Sequence, residues 1–450
     1  MPQTSPAARK PQVTGVPPKG RPPRPPFPRD HAPVVAAAER AAAQGPAAVE
    51  AFWRRVRAEG TPVVEPAADP AERLVTFLWR GAGLADVVLV ADRSADAESY
   101  ERNRMARVPG TDLWHLTYRM RADWRCSYAV APVPADPGAA PPGPADPMLA
   151  VRRSRALAAA DPADAPAIAR WFDALAHSRP DPLARERLDA AWSVVALPEA
   201  PAGPRGGEVP PERVRLHQVA STGLGNTREV AVYTPPGAPP EPGGWPVLVL
   251  LDGQDWRPTP FLAEVDRMVA ARELAPLLVA LVPSLDFATR VRELGCHPPF
   301  VDFLTATLLP LLRREHGATA DPARTVVAGQ SLGGLTALFA AHTAPGRIGR
   351  ALSQSGSLWW PNAPTAEGEA PGSELMLRLL AEAPELPERL HLSVGLHEWT
   401  LLGPTRRLRA LLEERGAALD YAEFNGGHDR ACWQAGLPAA LARVTADWPR

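Results

Sequence analysis

Lysine is almost missing from this chain. Of its 49 basic residues only Lys10 and Lys19 are lysines, and the remainder are arginines. An excess of charge is missing too, because 50 acidic residues leave the net charge at -1. That balance excludes a generally basic nucleic-acid binder and a strongly acidic solvating chain, so no nucleic-acid partner is expected. Cysteine is scarce: Cys126, Cys296 and Cys432 are odd in number and widely spaced. They exclude a disulfide scaffold and a CxxC zinc site, and read as thiols of a reducing compartment. No run reaches the ~18 apolar residues of a membrane span, so no membrane partner is expected. The start, MPQTSPAARKPQ, runs on into PPKGRPPRPPFPRD without an apolar stretch. It does not read as a secretory signal, and the expected location is the cytoplasm. What is abundant is apolar and small: 45% hydrophobic residues in 450 allow two or three domains with a sizeable core. Proline is high at 55, but alongside heavy use of Ala, Arg and Gly it reads as coding bias. Disorder is therefore inferred only from dense proline clusters.

Residues 1–32 form such a cluster, with ten Pro and six basic residues in the first thirty, and are expected to be a disordered tail. Helices are predicted over 33–44 and 46–59, the second carrying Val49, Phe52, Trp53 and Val56 on one face. Short aromatic and β-branched runs follow at 74–80, 85–91, 111–120 and 127–132. They predict a small antiparallel β-sandwich, giving a first domain over 33–133. Residues 131–147 hold seven Pro in seventeen positions and open a linker and helical connector over 134–212. Beyond it the pattern changes. A hairpin is expected around Gly223–Asn226. Buried apolar runs at 246–251, 275–283, 325–329 and 390–395 then alternate with helical segments. This predicts an α/β domain with a mostly parallel sheet over 213–450.

Within that domain, TVVAGQSLGGLTALFAA (325–341) contains Gly329-Gln330-Ser331-Leu332-Gly333, a GxSxG turn between a buried strand and a helix. Such a turn lifts Ser331 Oγ out at the strand end and requires small residues two before and two after it, here Gly329 and Gly333. The helix that follows offers the Leu332 N–H to an oxyanion. A serine hydroxyl needs a base, and the base an orienting acid. His428, in the loop of YAEFNGGHDRACW, is the expected base. His31, His115, His177, His217, His316 and His342 read as surface residues, and His397 has no assigned role. Glu398, just past strand 390–395, is the expected acid, with Asp429 as a weaker candidate and a Ser–His dyad as the remaining option. The second oxyanion donor is expected from LLDGQDW, at Gln254 N–H with Gly253 in reserve.

The stretches LLDGQDW, RVRELGC, VVAGQSLGGLTALFA, LSQSGSLWWP and GGHDRACW, with FWRRVRAEGTP, VTFLWR, PGTDLWHL and DWRCSY upstream, resemble the enterochelin esterases over roughly residues 46–448. That resemblance implies an α/β-hydrolase domain behind an antiparallel sandwich, and Ser331, His428 and Glu398 as catalytic residues. It implies hydrolysis of the trilactone of a ferric catecholate siderophore such as enterobactin. Iron would enter only with this small-molecule substrate, with no resident metal and no cofactor. It further implies Arg290, Arg292 and Glu293 beside the substrate and Trp359 and Trp360 as pocket walls suited to catechol rings. Gly295 and His297 depart from the family's usual Pro and Asn. For the sandwich, closing over the pocket and setting the geometry of a homodimer are both open. Three rival readings stand: an esterase for a feruloyl or acyl-glycan ester, a mycolyltransferase-like acyltransferase, and a siderophore-binding module without catalysis.

Overall fold

The computed structural model describes residues 27–91, 98–136, 147–205, 207–239, 243–361 and 374–449. Most of the expected proline-rich tail, 1–26, lies outside the described residues. Its last part, 27–32, is ordered, which corrects the predicted boundary. Phe27 is buried with its ring centroid 4.7 Å from Tyr118 and 5.2 Å from Trp124, and the Pro28 carbonyl accepts from the Arg119 amide.

Packing divides the described chain into two compact units. One comprises 27–202 together with 425–432, the other 203–424 together with 433–449. The first unit holds eight described strands: β1 (Val63–Pro66), β2 (Glu72–Arg80), β3 (Leu84–Ala91), β4 (Ala106–Arg107), β5 (Leu113–Arg121), β6 (Arg125–Pro134), β7 (Glu186–Arg187) and β8 (Ser193–Ala196). They form two antiparallel sheets in the orders β1-β2-β5-β4 and β3-β6-β8-β7. Period-two alternation explains the layering. Val75, Phe77, Leu116 and Tyr118 of one sheet face Val87, Leu89, Tyr128 and Val130 of the other in a shared core. The outer positions Leu78 and Leu113 take the helix Pro46–Glu59, through Phe52, Trp53 and Val56. Val88, Val90, Ala129 and Ala131 take the helix Ala165–Leu175, through Ile168, Trp171 and Phe172. The connector is thus more than helical. Its residues 193–196 pair with β6, because SVVA buries its first three side chains there.

The second unit is built on eight strands: β9 (Val214–Ser221), β10 (Asn226–Tyr233), β11 (Val247–Leu251), β12 (Leu278–Val282), β13 (Thr325–Gln330), β14 (Arg350–Gln354), β15 (Arg389–Gly395) and β16 (Leu419–Phe424). Their order is β16-β15-β14-β13-β11-β12-β10-β9, parallel from β16 to β12 with the β9–β10 hairpin antiparallel at the edge. The apolar runs are continuous because helices cover both faces. Val247, Val249, Leu251 and Val327 face one core; Leu248, Leu250, Val326 and Ala328 face the other. After β11 the chain passes to β12 on one side, then returns to β13 on the other. The crevice at the carboxyl ends of β11 and β13 is therefore the topological switch point, where ligands bind in such sheets.

Candidate active site

Ser331 follows β13 at this switch point, as the first residue before the helix Leu332–Thr343. Its backbone sits at φ 57° and ψ -119°, a strained conformation for a side chain with Cβ that costs about 1–3 kcal/mol. The turn persists because its surroundings over-determine it. The Ser331 amide donates to the Gln354 carbonyl at 3.1 Å, and the Ser331 carbonyl accepts from the amides of Leu335 (3.1 Å) and Ser357 (2.9 Å). A Cβ on Gly329 would stand 2.5 Å from the Gly333 carbonyl carbon, so the strand and helix approach only through a glycine there. At Gly333 itself a Cβ would meet Asp252 and Leu251 at an ordinary 3.5 Å. The second tight position is Gly334, where it would meet Ser353 Oγ at 2.7 Å and Gly356 Cα at 3.1 Å. Ser331 Oγ lies 3.3 Å from Ser357 Oγ. Leu332 is buried in the first turn of the helix, where amides lack intrahelical partners.

Gln254 follows β11 in the short helix Gly253–Trp256. The preceding Asp252 adopts a left-handed conformation, φ 55° and ψ 41°. Gly253 packs so closely on β12 that a Cβ would fall 2.4 Å from the Leu281 carbonyl carbon. The Gln254 side chain accepts from the Ser284 amide at 2.8 Å. Arg290 clamps this loop. Its Nε and Nη2 donate to the two Asp252 carboxylate oxygens at 2.8 and 2.7 Å, and Ser284 Oγ donates to Asp252 at 2.7 Å. Two of the Arg290 donors thus serve a carboxylate of its own chain. Arg292 is exposed, its guanidinium 3.4 Å from Thr289 Oγ1. Glu293 requires a correction. It is 1% exposed and accepts from Arg228 at 3.0 Å on both oxygens and from Asn226 Nδ2 at 2.8 Å, inside the fold. Trp359 and Trp360, 5% and 6% exposed, are core members with ring centroids 5.9 Å apart. Trp360 lies against Gly295, where a Cβ would come within 2.5 Å of the indole. The Trp360 ring reaches that place because Gly295 has no side chain.

Glu398 is buried just past β15, and its Oε1 accepts from Ser355 Oγ at 2.7 Å. Trp433 Nε1 donates to the same Ser355 hydroxyl at 2.9 Å. Beneath Ser331 runs a buried polar chain: Trp256 Nε1 to Gln330 Oε1 (3.0 Å), Gln330 Nε2 to Gln354 Oε1 (3.0 Å), and Gln354 Nε2 to the Trp433 carbonyl (3.2 Å). It joins the Gln254 helix, the serine turn and the end of β14 into one hydrogen-bonded support. Sequence reasoning missed Gln330, Gln354, Ser355 and Ser357. The available signal was a polar run, SQSGS, closing a buried strand.

His428 is exposed in the loop 425–429 between β16 and the helix Arg430–Val444, and residues 425–432 group with the first unit. Its neighbour Asp429 is buried. Oδ2 accepts the Ser127 amide and, at 3.0 Å, the Ser127 hydroxyl, while Oδ1 accepts the Ala431 amide at 2.8 Å. Burial pushes the Asp429 carboxyl above the usual carboxylate range, against the pull of those donors. Three donors already serve it, two on Oδ2 and one on Oδ1. Among the described residues no group of three or more His, Cys, Asp and Glu could hold a metal ion, and no helix is long and apolar enough to cross a membrane.

A serine on a strained strand-to-helix turn, at the switch point of a mostly parallel sheet, defines the esterase class of α/β fold. Residues 221–444 match the family described as putative esterase, and residues 74–205 match the one described as enterochelin esterase, N-terminal. The chain is 32% identical over 415 residues to the iron(III) enterobactin esterase of Dickeya dadantii, covering 86% of this chain and 91% of that protein. It is 31% identical over 397 residues to the iron(III) salmochelin esterase of Escherichia coli O6:H1, with the same two coverages. The enterobactin esterase of Shigella flexneri, whose crystal structure was determined in the presence of enterobactin, superposes with a TM-score of 0.70 at 27% identity, over 88% of this chain and 98% of that one. The chain belongs to the iron(III) enterobactin esterase family.

Proposed function

We propose that this protein hydrolyses the trilactone of a ferric catecholate siderophore of the enterobactin kind, with Ser331 as nucleophile, His428 as general base and Glu398 as orienting acid. The observation that carries the reading is the position of Ser331, strained at the head of a helix and backed by the Gln330–Gln354 support. Ser331 Oγ attacks a seryl lactone carbonyl while His428 takes its proton. The Leu332 and Gln254 amides stabilise the oxyanion, a contribution worth roughly 10²–10³ in rate per donor. The intermediate collapses to an acyl-enzyme, and His428 returns the proton to the departing seryl oxygen. Water, deprotonated by His428, then releases the acid and regenerates Ser331. Iron enters and leaves with the substrate, and no resident cofactor takes part. The opened product chelates more weakly because its three arms are no longer held in one ring. Hydrolysis in the cytoplasm belongs to the same proposal, supported by three cysteines that are all thiols.

The experiment is chromatography of products from ferric and iron-free enterobactin and its glucosylated form, with the wild type, Ser331→Ala and Glu398→Gln. Linear dihydroxybenzoyl-serine products are expected from the wild type. They should be absent with Ser331→Ala while substrate still binds. With Glu398→Gln they should form at least tenfold more slowly. Near-wild-type turnover by Ser331→Ala refutes the nucleophile, and an unchanged rate with Glu398→Gln reduces the triad to a dyad.

A further inference from the structure

The segment 425–432 is held on both sides of His428 by the first unit: by Asp123, just before β6, on one side and by Arg125 and Ser127 of β6 on the other. Asn425 Nδ2 donates to Asp123 at 2.6 Å. Asp429 receives the amide and hydroxyl of Ser127 on β6. Arg125 Nε donates to the Ala431 carbonyl at 3.0 Å, Cys432 Sγ donates to the Arg125 carbonyl at 3.1 Å, and Arg430 pairs with Asp189. Arg125, Ser127, Asn425, Asp429 and Cys432 are all buried, whereas His428 is exposed between them. A buried carboxylate is expensive to keep and survives only where donors satisfy it. Here three donors from two backbone amides and one hydroxyl do so.

We infer that strand β6 of the sandwich positions the His428 imidazole, and that Asp429 is the residue through which it does so. The inference rests on the proposed role of His428 as general base. A displacement of ~1 Å in a catalytic group can cost ~10²-fold in rate, so a base carried on the loop 425–429 gains from a fixed backbone. Fixing the backbone on both sides of His428 limits that displacement before substrate arrives. Asp429 touches no reacting atom in this account; it is a positioning residue.

The test compares Asp429→Asn, Ser127→Ala, Ser127→Thr and His428→Ala in the full-length protein, each checked for native circular dichroism. Two rates are read: steady-state hydrolysis of ferric enterobactin, and phosphonylation of Ser331 by a fluorophosphonate, which needs the base but no siderophore. Asp429→Asn places an amide N–H against the Ala431 N–H. It should lower kcat by ~10–100-fold with KM within ~2-fold, and slow phosphonylation by the same factor. Ser127→Ala removes one donor and should cost ~3–10-fold in kcat, which Ser127→Thr restores by returning the hydroxyl. A purely structural role would lower thermal stability and leave both rates of the folded protein alone. Wild-type kcat in Asp429→Asn and Ser127→Ala, with His428→Ala inactive, overturns the positioning role. If Asp429→Asn does not fold, the Ser127 pair decides alone. Substantial activity in His428→Ala would instead remove the base assignment beneath it.

Discussion

Replacing Glu293 with glutamine separates a structural carboxylate from a substrate-binding one. Arg228 and Glu293 are 1% and 2% exposed at the side chain, and both carboxylate oxygens lie 3.0 Å from Arg228 Nη2. The Phe300 and Phe303 rings stand 5.4 and 4.8 Å from the guanidinium, so water cannot take the place of the missing charge. Leaving one member of a buried pair uncompensated costs about 3–5 kcal/mol. For a unit of this size each kcal/mol lowers Tm by ~2–4 °C, so Glu293→Gln should melt ~6–20 °C lower. Asn226 can still donate to the new amide oxygen, which keeps the estimate toward the lower part of that range. Removing both charges with Arg228→Met and Glu293→Leu should recover most of the loss, because desolvation of two ions is then no longer required. Differential scanning calorimetry gives the Tm, and steady-state kinetics at 25 °C should show KM unchanged within twofold in the single mutant. A wild-type Tm together with a KM raised tenfold would refute the argument and return Glu293 to the substrate.

Two further outcomes follow from other parts of the structure. Gly329→Ala forces a Cβ against the Gly333 backbone with no flexible atom to yield, and should reduce kcat more than ~10²-fold, whereas Gly333→Ala should stay within about threefold; equal effects would show that the turn is not limited at Gly329. His391 is buried, and burial holds its pKa below the usual histidine value despite the hydrogen bond from Nδ1 to Asp420. The unfolded ring takes up a proton near pH 6.5 and the native ring does not, so stability is full above ~6.5 and falls below it by up to ~1.4 kcal/mol per pH unit. Asp420, held down at about 2 by His391 and Arg443 against the penalty of its own burial, adds a second loss as pH falls through ~4 toward 2. Urea unfolding of His391→Gln between pH 7 and 5 should show a shallower slope than the wild type, and parallel slopes would overturn the assignment.

The mostly parallel sheet and the serine turn could be read from the chain because each is a local pattern. Unbroken apolar runs mean two covered faces, and a glycine between strand and helix means close approach. The long sandwich strands β2, β3, β5 and β6 were legible for the same reason, whereas β1, β4, β7 and β8, two to four residues each, are too short to stand out. The roles of Arg290 and Glu293 were not legible. Their partners Asp252 and Arg228 lie 38 and 65 residues away, and one arginine among 47 carries no mark of what it will meet. Trp359 and Trp360 look alike as pocket walls or as core until Gly295 is seen beneath one of them. The attachment of 425–432 to β6, across about 300 residues, leaves only a buried aspartate beside a histidine, and a sequence cannot show burial.

That attachment also sets an order on biosynthesis. The ribosome finishes residue 202 about 220 residues before it makes 425. At ~5–20 residues per second the gap lasts roughly 11–45 s. Through that interval the emerging N-terminal module carries Asp123, Arg125 and Ser127 without the eight residues that will cap them. It is a nascent body with an open seam, closed only when residues 425–432 emerge.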